Sequence, residues 1–230
     1  MGKYNVIIPA AGQGKRMKAG KNKQFITIDQ DPLLIHTLRV FEGDLLCDEI
    51  ILVINSEEKP EMEALIEQFG LKKINKLVPG GKERQQSVFE GLKAVEGDPV
   101  VLIHDGARPF IQTEVISKLV SKVETGVSAT VGVPMKDTVK KVQGGLIEET
   151  VDRTSLWAIQ TPQAFRCSEI VSAHKEAEMN DYFGTDDASL MEYVNKPVAI
   201  IEGDYENIKV TTPEDLLFAE AIIKKRKEDQ

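Results

Sequence analysis

The chain has 230 residues, 41% of them hydrophobic and 29% charged, and its 37 acidic against 29 basic side chains leave a formal net charge of -8. That length and balance suffice for a sizeable core, which excludes a disordered chain, and the acidic surplus argues against general nucleic-acid binding. Cys47 and Cys167 stand far apart without CxxC spacing, which argues against a disulfide framework or a zinc site and fits a reduced, cytoplasmic setting.

In chain order, residues 4–9 form an apolar run of strand length, too short for a signal segment or a membrane span. Similar runs at 49–54, 74–78, 100–104 and 127–133 alternate with amphipathic stretches at 33–41, 57–69, 83–95 and 113–124. Apolar strands alternating with helices predict a doubly wound, mostly parallel α/β sheet. Residues 136–142 and 146–151 then flank Gln143-Gly144-Gly145, a hairpin signal inside the α/β pattern. Polar faces and only two strands make it an inserted arm, at residues 136–155, that packs on something else, a partner subunit being one candidate. The chain returns through 156–160, helices near 167–179 and 187–193, a strand at 198–202 and a final helix after Pro213. No Pro-, Gly- or Ser-rich linker divides it, so the expectation for residues 1–230 is one domain with an arm. Trp157 and the apolar stripes read as core.

The strongest local pattern is Pro9-Ala10-Ala11-Gly12-Gln13-Gly14-Lys15-Arg16-Met17, followed by Lys23. A strand opens into a small-residue loop with cations behind it, so that backbone N–H groups can approach phosphate oxygens; a tight turn would use the same two glycines. Arg16 after Gly14-Lys15 breaks the Walker pattern, and Met17 stands where the dinucleotide fingerprint needs its third glycine. Pro79-Gly80-Gly81-Lys82-Glu83-Arg84, with Ser87 one turn on, reads on its own as an ordinary helix start. His104-Asp105-Gly106-Ala107-Arg108-Pro109 follows a strand, where Asp105 can hold Mg²⁺ against phosphate oxygens or simply begin a turn. Near the C-terminus, Thr212-Pro213-Glu214-Asp215 is a helix start. Lys209 sits between Ile208 and Val210 in a strand-like run and points away from both, a placement that commonly ends in solvent. His36, His104 and His174 lack metal spacing, and the GxSxG elbow is absent.

Five blocks in order, PAAGQGKRM with Lys23, HDGARPF, VDRTSLWAIQTPQAF, GTDDASL and NIKVTTPEDL, together resemble the 2-C-methyl-D-erythritol 4-phosphate cytidylyltransferases of the non-mevalonate isoprenoid pathway. The resemblance implies a Rossmann-like nucleotidyltransferase fold and transfer of CMP from CTP to methylerythritol phosphate. It also implies Mg²⁺ or another divalent cation as cofactor and a homodimer joined through the β-arm; the acidic balance and the short apolar segment themselves point to no nucleic-acid and no membrane partner. By position in the blocks, Arg16, Lys23 and Lys209 are implied to be catalytic, and Arg153, Thr138, Arg108 and Thr185 to position the substrates, Arg153 and Thr138 by binding the polyol phosphate. Pro9, Ala10, Ala11, Gly12, Gly14, Gly80, Gly81 and Ser87 are implied to hold the nucleotide, and Asp105 the metal. Lys82 departs from the pattern, standing where the family carries an acidic residue.

The implied chemistry agrees with the residues present. A phosphate monoester is already an anionic nucleophile near neutral pH, so positioning and charge neutralisation are needed rather than a general base. Two alternatives remain at this point. Ribitol 5-phosphate cytidylyltransferases have the same implied fold, but resemble LAGGxGxRM in the first loop and lack the DRTSLW stretch. A non-catalytic nucleotide sensor is countered by Arg16, Lys23, Asp105 and Lys209 occurring together.

Overall fold

A computed structural model describes residues 2–12 and 23–228, with Lys23 described by its backbone alone. In chain order its elements are β1 (Tyr4–Pro9), β2 (Thr27–Ile28), β3 (Asp31–Pro32), α1 (Leu33–Gly43), β4 (Cys47–Ile54), α2 (Lys59–Gln68), β5 (Ile74–Pro79), α3 (Arg84–Lys93), β6 (Val100–Ile103) and α4 (Thr113–Glu124). They continue as β7 (Ser128–Pro134), β8 (Val139–Gln143), β9 (Leu146–Val151), β10 (Trp157–Arg166), α5 (Cys167–Met179), α6 (Asp187–Tyr193), β11 (Val198–Glu202) and α7 (Pro213–Glu228). Seven strands form one sheet in the order β11-β7-β10-β6-β1-β4-β5, in which β10 alone runs antiparallel to its neighbours.

The period-2 alternation of each strand decides what covers each face. Val6 and Ile8 of β1, Ile50, Leu52 and Ile54 of β4 and Leu102 of β6 meet α1, α2 and α4. Ile7, Ile51, Val53, Val101 and Ile103 face the other way, onto α3, α5 and α6. Because both faces are buried, the central stretches of these strands, Val6 to Ile8, Ile50 to Ile54 and Val100 to Ile103, are apolar without alternation, which is why they stand out in the sequence. A smaller apolar group, with Ile28, Leu33, Phe110 and Val210, seats α7 beside the loop after β6.

From β1 the chain winds outward through β4 to β5, then returns across the opposite face by α3 to place β6 on the other side of β1. The loops after β1 and β6 therefore diverge, and a crevice opens between them at the carboxyl ends of the strands.

The doubly wound sheet agrees with the sequence expectation; several details differ. The return expected over 156–160 is the ten-residue β10, which pairs with both β6 and β7 and changes register between Ile159 and Gln163. Pro162 falls in that irregular stretch, where the missing N–H costs no ladder bond. Trp157, at the outer end of β10, is half-buried rather than core. Lys209 lies in an irregular segment, not a strand; the adjacent Val210 N–H bonds the Ala107 carbonyl at 2.9 Å. The two-residue strands β2 and β3 carry too little pattern to be read from sequence.

The hairpin forms as a separate two-stranded sheet, β8 with β9, between β7 and β10. Gly144 and Gly145 have φ of +59° and +82°, the left-handed pair that a tight two-residue turn requires. The first strand begins at Val139, three residues after the expected start.

Gly91 lets α3 rest directly on β1: a Cβ there would lie 2.6 Å from Ile7 Cγ2 and 2.9 Å from Val53 Cγ2. Gly91→Ala is expected to lower the melting temperature by about 2–8 °C through overpacking, in excess of the helix propensity gained. Thermal denaturation checks this; an unchanged or higher melting temperature would mean that α3 can lift off the sheet without cost.

Candidate active site

The crevice holds a cavity of about 190 Å³ walled by Pro9, Ala11 and Gly12 after β1, Gly81 to Arg84 and Ser87 at the start of α3, Asp105 to Ala107 after β6, and Lys209. A more open recess of about 480 Å³ adjoins it, shared by Ala11, Gly12, Gly81 and Lys82 and bounded further out by Asn55, Ser56 and Gly80. Gly80 and Gly81 are glycines for want of space. A Cβ on Gly80 would sit 2.5 Å from the Ala11 Cβ, and one on Gly81 2.5 Å from the Gln86 Cβ. Gly12 faces open space.

Asp105 stands at the centre. Its Oδ2 lies 2.8 Å from Lys209 Nζ and 3.6 Å from Arg108 Nε, and its Oδ1 lies 3.4 Å from Arg84 Nε. Burial opposes ionisation of this carboxyl, but the charges of Arg84, Lys209 and Arg108 outweigh it and hold the group well below the usual carboxylate range. Arg84 reaches a second carboxylate, Asp187, at 2.8 Å. Three cations thus face two carboxylates, and the described part of the site is net positive within a chain of net charge -8.

Behind Asp105 the loop is fixed by neutral hydrogen bonds. The Asp105 N–H donates to Thr161 Oγ1 at 3.0 Å, Thr161 lies 3.1 Å from His104 Nδ1, and His104 Nε2 lies 2.9 Å from the Arg108 carbonyl. A carbonyl can only accept, so Nε2 carries the ring proton and Nδ1 accepts from the Thr161 hydroxyl. Burial pushes His104 down to about 4, against the bond to the Arg108 carbonyl. It is therefore neutral at physiological pH and a brace rather than a base. Asn207 completes the floor, donating to Gln160 Oε1 and the Thr161 carbonyl at 3.0 Å, while its own carbonyl accepts from Arg108 Nη1 at 2.7 Å.

Of the residues singled out in the sequence, Pro9, Ala11, Gly12, Gly81, Ser87, Asp105 and Lys209 meet around the cavity, and Gly80 lines the recess. Ala10 does not line either space: its side chain is in the core and its N–H donates to the Val53 carbonyl at 2.7 Å. The Ser87 hydroxyl is engaged within the loop, accepting from the Gly81 N–H at 3.1 Å and donating to the Glu83 carbonyl at 3.0 Å. Arg108 braces the 105–108 turn from outside the cavity wall. Thr138, Arg153 and Thr185 are exposed and stand outside the cavity; Arg153 Nη1 donates to the Lys136 carbonyl at the root of the arm. Gly14, Arg16 and the side chain of Lys23 lie outside the described residues. Arg84, Asp187 and Asn207 were not singled out, because nothing local marks a residue whose partner is a hundred positions away.

No group of three His, Cys, Asp or Glu side chains among the described residues could hold a metal ion. A lone hard carboxylate suits instead a divalent cation that arrives on substrate phosphates and keeps most of its other oxygen ligands from them or from water.

A cation-rich, glycine-walled cavity at the switch point of a doubly wound sheet is the site of a nucleotide-binding α/β protein. Comparison narrows the class. The family described as IspD, 2-C-methyl-D-erythritol 4-phosphate cytidylyltransferase, matches residues 4–225. The proteins of that name from Bacillus licheniformis and Bacillus velezensis are both 56% identical to this chain, over 99% and 96% of it and 98% and 96% of their own lengths. The crystal structure of 4-diphosphocytidyl-2C-methyl-D-erythritol synthase from Anaerococcus prevotii superposes with a TM-score of 0.85 at 32% identity, covering 97% of this chain and 96% of that one. The chain belongs to the 2-C-methyl-D-erythritol 4-phosphate cytidylyltransferase family.

His174, stacked on Phe89 at 5.2 Å, is also pushed down to about 4, chiefly by burial and against the nearby Asp187. Free in the unfolded chain, a histidine takes up its proton near 6.5, so between about 6.5 and 4 the unfolded state binds more protons than the native one. Stability is therefore expected to be full above about pH 6.5 and to fall as pH drops toward 4. Melting temperature against pH checks this: His174→Gln should flatten the slope in that window, and an unchanged slope would show that His174 does not contribute to it.

Proposed function

We propose that this nucleotidyltransferase transfers CMP from CTP to 2-C-methyl-D-erythritol 4-phosphate, releasing pyrophosphate, with a divalent cation such as Mg²⁺ and as a homodimer. The carrying observation is the Asp105 carboxylate ringed by Arg84, Arg108 and Lys209 at the switch point of a chain that belongs to this family. A monoester oxygen of the acceptor attacks the α-phosphorus of CTP; that P–O bond forms as the bond to the pyrophosphate oxygen breaks. No proton has to be removed from the nucleophile, which accords with both buried histidines beside the site being neutral.

The residues supply charge and orientation. Lys209 and Arg84 hold positive charge at the crevice before any substrate arrives, so little reorganisation accompanies the growth of charge on the leaving phosphates. Arg16 and Lys23, which follow β1 in the sequence, are the further cations that this reading assigns to the phosphates. Gly12 faces the open space from which the nucleotide would approach the backbone, and Gly80 and Gly81 keep the neighbouring loop packed close to Ala11 and Gln86. Asp105 would hold a divalent cation, which would supply neutralisation of negative charge on the substrate phosphates.

Arg153 and Thr138 flank a hairpin that stands apart from the main sheet, and both are exposed away from the cavity of their own chain. That placement supports a role in binding the acceptor phosphate at the neighbouring subunit. A reducing, cytoplasmic location is supported by two cysteines that are both buried and unpaired. Among the described residues no helix is long and apolar enough to cross a membrane.

Pyrophosphate release from CTP and Mg²⁺, with methylerythritol 4-phosphate and ribitol 5-phosphate offered separately, tests the assignment. Turnover with the former alone is expected; preference for ribitol 5-phosphate would move the protein to another acceptor, and silence with both would remove the catalytic reading. For the shared site, Arg153→Ala is expected to raise KM for the acceptor, and Lys23→Ala to lower kcat by about a hundredfold or more. Mixing the two variants should restore part of the activity, since one heterodimer site then keeps both groups. No recovery in a verified heterodimer would place Arg153 in its own subunit's site.

A further inference from the structure

Arg84 opens α3 and Asp187 opens α6, helices that cover the same face of the sheet. The Arg84 guanidinium spans two carboxylates, with Nη2 2.8 Å from Asp187 Oδ2 and Nε 3.4 Å from Asp105 Oδ1. The shorter contact is to the more deeply buried group: the Asp187 side chain is 1% exposed and that of Asp105 11%. His174 Nε2 lies 3.8 Å from the other Asp187 oxygen, but its ring is neutral at physiological pH, so among the described residues Arg84 is the cation that neutralises Asp187. Leaving such a carboxylate without its charged partner is costly, which gives Arg84 a strong reason to stay.

Asp187 is itself held in place. The fully buried Gln163 accepts from the Ala188 N–H at 2.8 Å and donates to Asp186 at 2.6 Å, and Asp186 accepts from the Ser189 N–H at 3.0 Å. The first turn of α6 is thus pinned to β10, and Asp187 cannot follow Arg84 toward the cavity.

We propose that Asp187 is a positioning residue that tethers Arg84 and so limits its grip on Asp105, leaving the Asp105 carboxylate able to take a divalent cation. The proposal rests on the metal assignment made above. An untethered guanidinium could turn two parallel N–H groups onto Asp105, the strongest pairing those groups make, and a carboxylate so engaged has few lone pairs left for a cation. Loss of the Asp187 charge also makes the surroundings of Asp105 more positive by one unit, which repels a cation further. Removing Arg84 acts in the opposite direction on both counts. Asp187 and Arg84 should therefore have opposite signs in cation binding, whereas a simple brace between α3 and α6 predicts a loss of stability from either.

Calorimetric titration with CTP at a series of Mg²⁺ concentrations, without acceptor and with thermal melts alongside, reads this directly. Asp187→Asn is expected to raise the Mg²⁺ concentration that half-saturates CTP binding by about fivefold or more, and Arg84→Gln in the same chain to bring it back down. An Asp187→Asn chain with wild-type Mg²⁺ dependence and only a lower melting temperature would overturn the proposal. Should that variant not fold, Arg84→Gln alone decides: a half-saturating concentration below that of the wild type supports the tether, and one equal or higher overturns it. Wild-type CTP binding that is indifferent to Mg²⁺ would overturn the metal assignment and the tether with it, whereas Mg²⁺-dependent wild-type binding with an indifferent Asp187→Asn overturns the tether alone.

Discussion

A carboxylate buried among three cations is the constraint around which the site is built. Asp105 alone in that position would be too costly to keep ionised, and Arg84, Arg108 and Lys209 alone would repel one another. Together they offset each other's burial, and removing one partner of such a set typically costs about 3–5 kcal/mol. The members come from separate parts of the chain: α3, the loop after β6, and the irregular segment before α7. Ion pairing therefore fixes the relative placement of three elements that backbone hydrogen bonding leaves mostly independent, with the Val210 N–H to Ala107 carbonyl bond as the main exception.

The same arrangement explains how a chain of net charge -8 can receive two polyanions. Three positive charges, on Arg84, Arg108 and Lys209, are gathered at one end of the sheet, where strand ends leave a crevice, and are held there by internal carboxylates before substrate arrives. In the proposed reaction a phosphate would meet cations already in place, so reorganisation would be small and the field strongest where charge develops. Neutral His104 and Thr161 beneath Asp105 contribute rigidity without adding a charge that would titrate in the working range.

What could be read from the sequence follows from the range of the forces involved. β1, β4 and β6 were legible because burial on both faces leaves unbroken apolar runs at their centres, and the glycine turn of the hairpin because two left-handed residues admit few alternatives. The loops at Pro9–Gly12, Gly80–Gly81 and Asp105 were legible as strand-end punctuation, and five blocks in order carried the family. By contrast, β10 contains Pro162 and changes register beside it, so its local pattern breaks even though its pairing continues. Lys209 alternates with apolar neighbours as a strand residue would, but its direction is set by Asp105 and not by a sheet. Arg84 and Asp187 are ordinary helix-start residues until the fold brings α3 and α6 together; no spacing rule reaches across that interval.

The arm shows how the topology links assembly to the site in the proposed homodimer. β7 runs parallel to β6 through the intervening antiparallel β10, so the chain leaves β7 for the hairpin at the same end of the sheet as the crevice. A two-stranded sheet has no interior of its own. Val142 and Ile147, directly opposite each other, are 56% and 65% exposed, and Leu146 beside them is 76% exposed. Apolar side chains on so small a unit gain a core only against a second surface. Because the root of the hairpin, with Thr138 and Arg153, is at the ligand end of the sheet, a subunit that covers the arm would be brought to that end as well. Burial of the arm and completion of the acceptor site would then be one event, which accounts for an insertion that contributes nothing to the core of its own chain.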